Sequence, residues 1–136
     1  MSYAFSAALQ QAVFERLSGD AALAGVVECH VYDAPPQGRV PALYVLLGPE
    51  RVRDRSDASA DGAVHDLTVT VAGSGDGFRA AKDAAAAVSA ALLSGGMSLP
   101  QGRLVALRFT QARARRGARG RGRRIDLTFR ARVEAG

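Results

Sequence analysis

The chain has 136 residues, a length that supports one compact core and excludes an enzyme assembled from separate cofactor and substrate domains. Hydrophobic residues make up 48% of it but aromatics only 6%, with no Trp, so the apolar volume is mostly small side chains and a deep, rigid pocket is not expected. The net charge of +5 is unevenly held: residues 1–100 carry seven Arg or Lys against eleven Asp or Glu, a net −4, whereas residues 101–136 carry eleven Arg against two acids, a net +9.

Cys29 is the single cysteine, so an intrachain disulfide is excluded, and without CxxC or paired Cys/His spacings so are the usual structural zinc sites. A reducing compartment fits this usage. The opening MSYAFSAALQQAVFERL has no basic leader before an unbroken apolar run and carries Glu15 and Arg16, which argues against a signal peptide. No apolar stretch reaches the roughly 18 residues of a membrane span, and no membrane partner is expected.

In chain order, Phe5, Leu9, Val13 and Leu17 recur at one helical turn, with Ala8, Ala12 and Phe14 widening the stripe. They predict a helix of about four turns between a cap at Ser2 and a stop at Gly19. Ala21 to Val26 reads as a short helical turn capped by Asp20, outside the coarse element order. His30 to Tyr32 reads as a short strand, followed by the loop APPQGRVP. ALYVLL, residues 42–47, has the content of a buried strand, ended by Gly48-Pro49. Residues 50–62, ERVRDRSDASADG, mix charges and small polar groups and read as an exposed excursion.

From Ala63 to Ala72, Leu67, Val69 and Val71 alternate with Asp66, Thr68 and Thr70, the period of a half-covered strand. A second helix is predicted from about Gly77 to Leu93, with Phe78, Ala81, Ala85, Val88 and Leu92 on a narrow Ala-rich face. Two last strands follow over Arg103 to Arg113 and Arg124 to Val133, joined as a hairpin through residues 114–123. In the first, Val105, Leu107 and Phe109 alternate with Ala106, Arg108 and Thr110. The fold class expected is α+β: a mainly antiparallel sheet with two helices on one face, in the order α-β-β-β-α-β-β. Such a sheet leaves edge strands that oligomerisation would protect.

Signals for catalysis are thin. His30 and His65 lie far apart, Cys29 and His30 are neighbours that point to opposite faces of a strand, and no Ser stands in a nucleophile elbow. GSGDG at 73–77 precedes a helix but lacks the Lys and the length of a phosphate-binding loop, so it reads as a strand-to-helix turn. Asp54, Asp57 and Asp61 are interspersed with Arg and read as a solvated mixed-charge loop rather than a metal site. No enzyme activity and no cofactor are expected.

The strongest local signal is QARARRGARGRGRR, residues 111–124. Its arginines can order against phosphates or against an acidic protein surface, or form a solvated hairpin tip. The absence of interleaved aromatics, and of any helix-turn-helix or RNA-module pattern, argues against base recognition.

Several segments taken together resemble a known family: SYAFSAALQQAVFERLSGDAAL, VYDAPPQGRVPALYVLLGPE, AVHDLTVTVAGSGDGFRAAKDAAAAVSAAL, GRLVALRFTQARARR and RRIDLTFRARVE. In this order they resemble the tail-completion or tail-terminator proteins of long-tailed phages, most of all the version in bacterial gene transfer agents. The resemblance covers nearly all of residues 1–136, read as one tail-terminator-like domain with charged excursions at about 50–62 and 113–124. It implies a homo-oligomer, a six-subunit ring that ends the tail tube, meets the tail-tube protein and a neck or head-connector protein, and leaves a channel for DNA. It implies assembly in the bacterial cytoplasm and a place in the tail of a phage-like particle.

Candidates for inter-ring or inter-subunit contact are Glu50, Arg51, Arg53 and Arg55, and Arg113, Arg115, Arg116, Arg119, Arg121, Arg123 and Arg124. Arg108, Arg130 and Arg132 fall on outward strand faces and are candidates for the channel wall, where DNA contact would be transient. The alternative reading is a basic accessory protein that binds nucleic acid through the 113–124 loop.

Overall fold

A computed structural model describes residues 3–28, 30–56, 61–75, 77–117 and 120–135. The elements run α1 (Ser6–Ser18), α2 (Ala21–Val27), β1 (Val31–Tyr32), β2 (Leu43–Asp54), β3 (Gly62–Gly73), α3 (Arg79–Leu93), β4 (Arg103–Arg116) and β5 (Arg123–Glu134). The expected order with two helices is therefore corrected to three helices in the order α-α-β-β-β-α-β-β. The added helix exists because the Asp20 side chain accepts a hydrogen bond from the Leu23 amide at 2.9 Å, while Leu23 and Val27, one turn apart, are both buried. The Ser2 cap lies outside the described residues, and α1 starts behind Phe5 without a side-chain cap.

The five strands lie in the order β1-β2-β3-β5-β4. β1 pairs with β2 in parallel and every other pair is antiparallel, so the sheet is mixed and mostly antiparallel. One face carries the helices. Its core holds Leu9, Val13 and Leu17 of α1, Leu23 and Val27 of α2, and Ala81, Ala84, Val88 and Leu92 of α3. Beneath them lie Val45, Val69, Val71, Ile125, Leu127, Phe129, Ala131 and Val133 of the sheet. The alanines of α3 let its axis approach β3, β5 and β4 closely, which is how a chain poor in aromatics still fills a core.

Bulges explain why the strands outrun their sequence patterns. Gly48 and Pro49 end the apolar run, yet β2 passes through them with a register shift between Leu47 and Glu50 and continues to Asp54. The site tolerates proline because β1 pairs only with Val45 and Leu46, so beyond Leu46 that side of β2 is an edge. The shift turns Glu50 and Val52 toward the helices and Arg51 and Arg53 away from them. In β4, shifts at Val105 and Thr110 break the simple alternation, so Leu104, Leu107, Phe109, Ala112 and Ala114 follow the buried residues of β5. β4 and β5 extend the hairpin so that only residues 117–122 separate them.

Candidate interaction surface

The sheet face opposite the helices is polar, and its charges come from strands that are separate in sequence. Cross-strand register sets Arg51, Asp66, Arg130 and Arg108 in one row. A second row holds Thr70, Asp126 and Arg113, next to Arg124 and Arg115. Near the far end, Arg132 and Arg103 flank Glu134.

The three carboxylates organise this surface. Asp66 accepts from Arg130 Nε at 2.8 Å and from Arg53 Nη2 at 3.3 Å. The Arg130 hydrogen bond, reinforced by the nearby charges of Arg53 and Arg51, holds the Asp66 carboxyl below the usual carboxylate range. Burial by itself would raise Asp126, but hydrogen bonds from Arg115 Nε at 2.8 Å and Thr70 Oγ1 at 2.8 Å outweigh it and hold this carboxyl low as well. Arg103 donates to Glu134 at 2.7 Å and Arg132 at 3.3 Å. Of the nine arginines on this face, Arg53, Arg103, Arg115, Arg130 and Arg132 are thus ion-paired, while Arg51, Arg108, Arg113 and Arg124 have no salt-bridge partner among the described residues.

The candidate residues read from the sequence divide among different environments. Arg51 and Arg53 lie on the polar face in β2, and Arg55 follows its end, where its carbonyl accepts from Arg132 Nη2 at 3.1 Å. Glu50 faces the helices: its carboxylate accepts from Ser6 Oγ at 2.6 Å and Tyr3 Oη at 2.8 Å and lies 3.0 Å from His65 Nδ1. Burial would raise Glu50, yet these hydrogen bonds from Ser6, His65 and Tyr3 keep its carboxyl low.

The run 111–124 is not one arm. Arg113, Arg115 and Arg124 sit on the polar face, whereas Arg116 and Arg123 oppose each other on the helix side. There the Arg123 guanidinium lies 5.1 Å from the ring centre of Phe78, a cation-π contact. Arg121 borders an open cleft of about 380 Å³ with Gly122, Arg124, Val40 and Ser74. Arg119 lies outside the described residues.

Sequence reasoning placed Arg108, Arg130 and Arg132 outward but missed Asp66, Asp126 and Glu134 as their anchors. The period-two pattern puts Asp66 on the polar side, but only pairing across strands reveals which arginines it meets. Among the described residues, no group of three or more His, Cys, Asp or Glu is placed to hold a metal ion. No helix there is long and apolar enough to cross a membrane.

Comparison with known proteins gives two positive findings. The family model described as tail completion protein gp17 matches residues 11–134. A chain in a solved structure described as the virion of a native gene transfer agent particle is 53% identical, with a TM-score of 0.92. The match covers 98% of the present chain and 99% of that one. No curated protein matches the sequence.

Proposed function

The chain belongs to the tail completion protein gp17 family, and from that membership we propose that it is a structural protein of a phage-like particle, forming a ring that ends the tail tube. The ring has six subunits and joins the tube to the neck or head connector around a channel for DNA. The observation that carries this reading is the likeness to a gene transfer agent virion chain over 98% of the sequence. Residues 1–136 act as one domain, made in the bacterial cytoplasm and built into the tail.

The work is geometric. One axial face of the ring matches the last ring of the tube, the other matches the connector, and closure leaves no site for a further tube ring. No bond is made or broken. DNA passes without being held, and the electrostatics of the polar sheet face support this. Five of its nine arginines are committed to Asp66, Asp126 and Glu134, which moderates attraction for phosphate. The division of Arg113, Arg115, Arg116, Arg123 and Arg124 between two strands and two faces also supports a built surface rather than a flexible basic arm.

The test is localisation in native particles by cross-linking and electron microscopy. A closed ring at the neck-proximal end of the tube is expected. Uniform placement along the tube, or discrete salt-sensitive complexes with DNA and no particle association, would overturn the reading.

A further inference from the structure

The two edges of the sheet are chemically unlike. At one edge lies β1, two residues long, flanked by the exposed acids Glu28 and Asp33. Residues 3–41 hold Glu15, Asp20, Glu28 and Asp33 against Arg39 and Arg16, the latter engaged by the Ala91 carbonyl and Ser94 Oγ, and past Leu46 the same edge continues along β2 with Arg51 and Arg53, so its acidic part is the α2–β1 end. A shallow cleft of about 320 Å³ opens here between α1 and the chain after β1, walled by Ala7, Gln10, Gln11, Phe14 and Asp33. Val26, on the last turn of α2, is 36% exposed.

At the opposite edge β4 presents an unpaired side 14 residues long with five arginines and no acid. Arg108, Arg113 and Arg116 are exposed and have no ion-pair partner among the described residues. Val105 and Phe109 are 42% and 43% exposed, and Phe109 borders an open apolar groove of about 300 Å³ with Ala85, Ala86 and Ser89 of α3.

We infer that the joint between neighbouring subunits of the proposed ring is head-to-tail: the Arg113 to Arg116 end of the β4 edge of one copy seats on the α2–β1 edge of the next, beside Glu28 and Asp33. The inference rests on the ring reading and names its surfaces. Three observations select this occupant. Opposite charges face each other only in the head-to-tail arrangement, because a two-fold joint of β4 on β4 sets Arg108, Arg113 and Arg116 against themselves. The sense and register of the strands agree: β1 and β4 run in opposite directions, so rotation about an axis along the strands brings β4 beside a neighbouring β1 antiparallel, with Arg113 level with Tyr32 and Ala114 with Val31, while Arg108 and Phe109 stand level with Arg51 and Glu50 of β2. Third, Glu28 is the one non-glycine residue with positive φ among the described residues, at φ 52° and ψ 42° in the cap position where glycine is favoured. Its exposed carboxylate has no side-chain partner among the described residues, and a neighbouring copy gives the strained residue a purpose.

Two charge-reversed chains test the joint, R113E/R116E and E28R/D33R. All four sites are exposed, and the melting temperature of each purified chain verifies its fold. In cells producing only one variant, particles whose tails end in a ring are expected to fall at least about tenfold, by electron-microscopic count. Co-production of the two is expected to restore them, because copies alternating round an even-numbered ring again oppose unlike charges at every joint. Rings formed normally by either variant alone, or failure of the folded pair to restore them, would overturn the joint. Absence of rings from wild-type particles is a different result and overturns the ring reading itself. Glu28→Gly separates strain from contact: a higher melting temperature with fewer rings is expected, and an unchanged ring count removes Glu28 from the joint.

Discussion

His65 Nδ1 lies 3.0 Å from Glu50 Oε2 on the helix side of the sheet, with the imidazole fully buried and the carboxylate largely so. The bulge at Gly48 and Pro49 creates this pair. Without the extra residue, strict alternation would turn Glu50 outward and Arg51 and Arg53 into the core. With Glu50 ionised, Nδ1 is the donor and Nε2 faces the interior without a hydrogen-bond partner among the described residues.

Glu50→Ala strands the buried His65 and Ser6 donors, while exposed Tyr3 turns to water, and is expected to cost about 1–3 kcal/mol. Glu50→Gln, which keeps an acceptor, should cost less. Urea denaturation of the three chains checks this, and equal midpoints would show that the cluster contributes nothing.

Acid lability follows from the same carboxylate together with Asp66 and Asp126, all held below their ordinary values. A group depressed in the folded state contributes stability above its unfolded pKa and loses it as pH falls through the folded one. The melting temperature should therefore be level from pH 7 to about 5 and decline below about pH 4.5. Glu50→Gln and Asp66→Asn should flatten the decline. A melting temperature that rises on acidification from pH 5 to 3 would contradict the assignment.

Phe129 and Phe109 meet edge to face, with ring centres 5.9 Å apart, but only Phe129 is fully buried. Phe129→Ala is expected to cost about 3–5 kcal/mol through the cavity it leaves. Phe109→Ala should cost about 1 kcal/mol, the scale of the aromatic pair alone. Thermal unfolding of the two variants tests the ranking.

Gly122 closes the β4–β5 turn at φ 67°, and a Cβ there would stand 2.6 Å from the Gly73 carbonyl oxygen. Gly122→Ala therefore meets both a left-handed backbone and a main-chain clash, and a loss of at least about 1–2 kcal/mol is expected in chemical denaturation. An unchanged stability would mean that the turn relaxes without cost.

On the polar face, Asp66→Asn with Asp126→Asn frees Arg53, Arg130 and Arg115. Retention on duplex DNA should rise, and its dependence on log salt should steepen by up to about three ions. Salt-series filter binding measures the slope, and identical slopes would separate these arginines from any path taken by DNA.

The sequence by itself determined the helical stripes, the alternating strands and the family. The core of α1, Leu9, Val13 and Leu17, and that of β5, from Ile125 to Val133, were legible because period and burial coincide over unbroken runs. α2 was legible only as a short helical turn behind its Asp20 cap, since seven residues carry little periodic signal and tertiary burial of Leu23 and Val27 extends it to a helix. The charged stretches at 50–54 and 113–116 read as loops because polarity is a correlate of exposure and not of backbone shape. Only the tertiary structure decided that they are strands. Bulges at Gly48-Pro49, Val105 and Thr110 shift which side chains point inward, and bulge positions depend on partner strands more than ten residues away in sequence. For the same reason, the arginines dense in the chain were dealt out to two faces and to Asp66, Asp126 and Glu134, a division that pairing between strands alone sets.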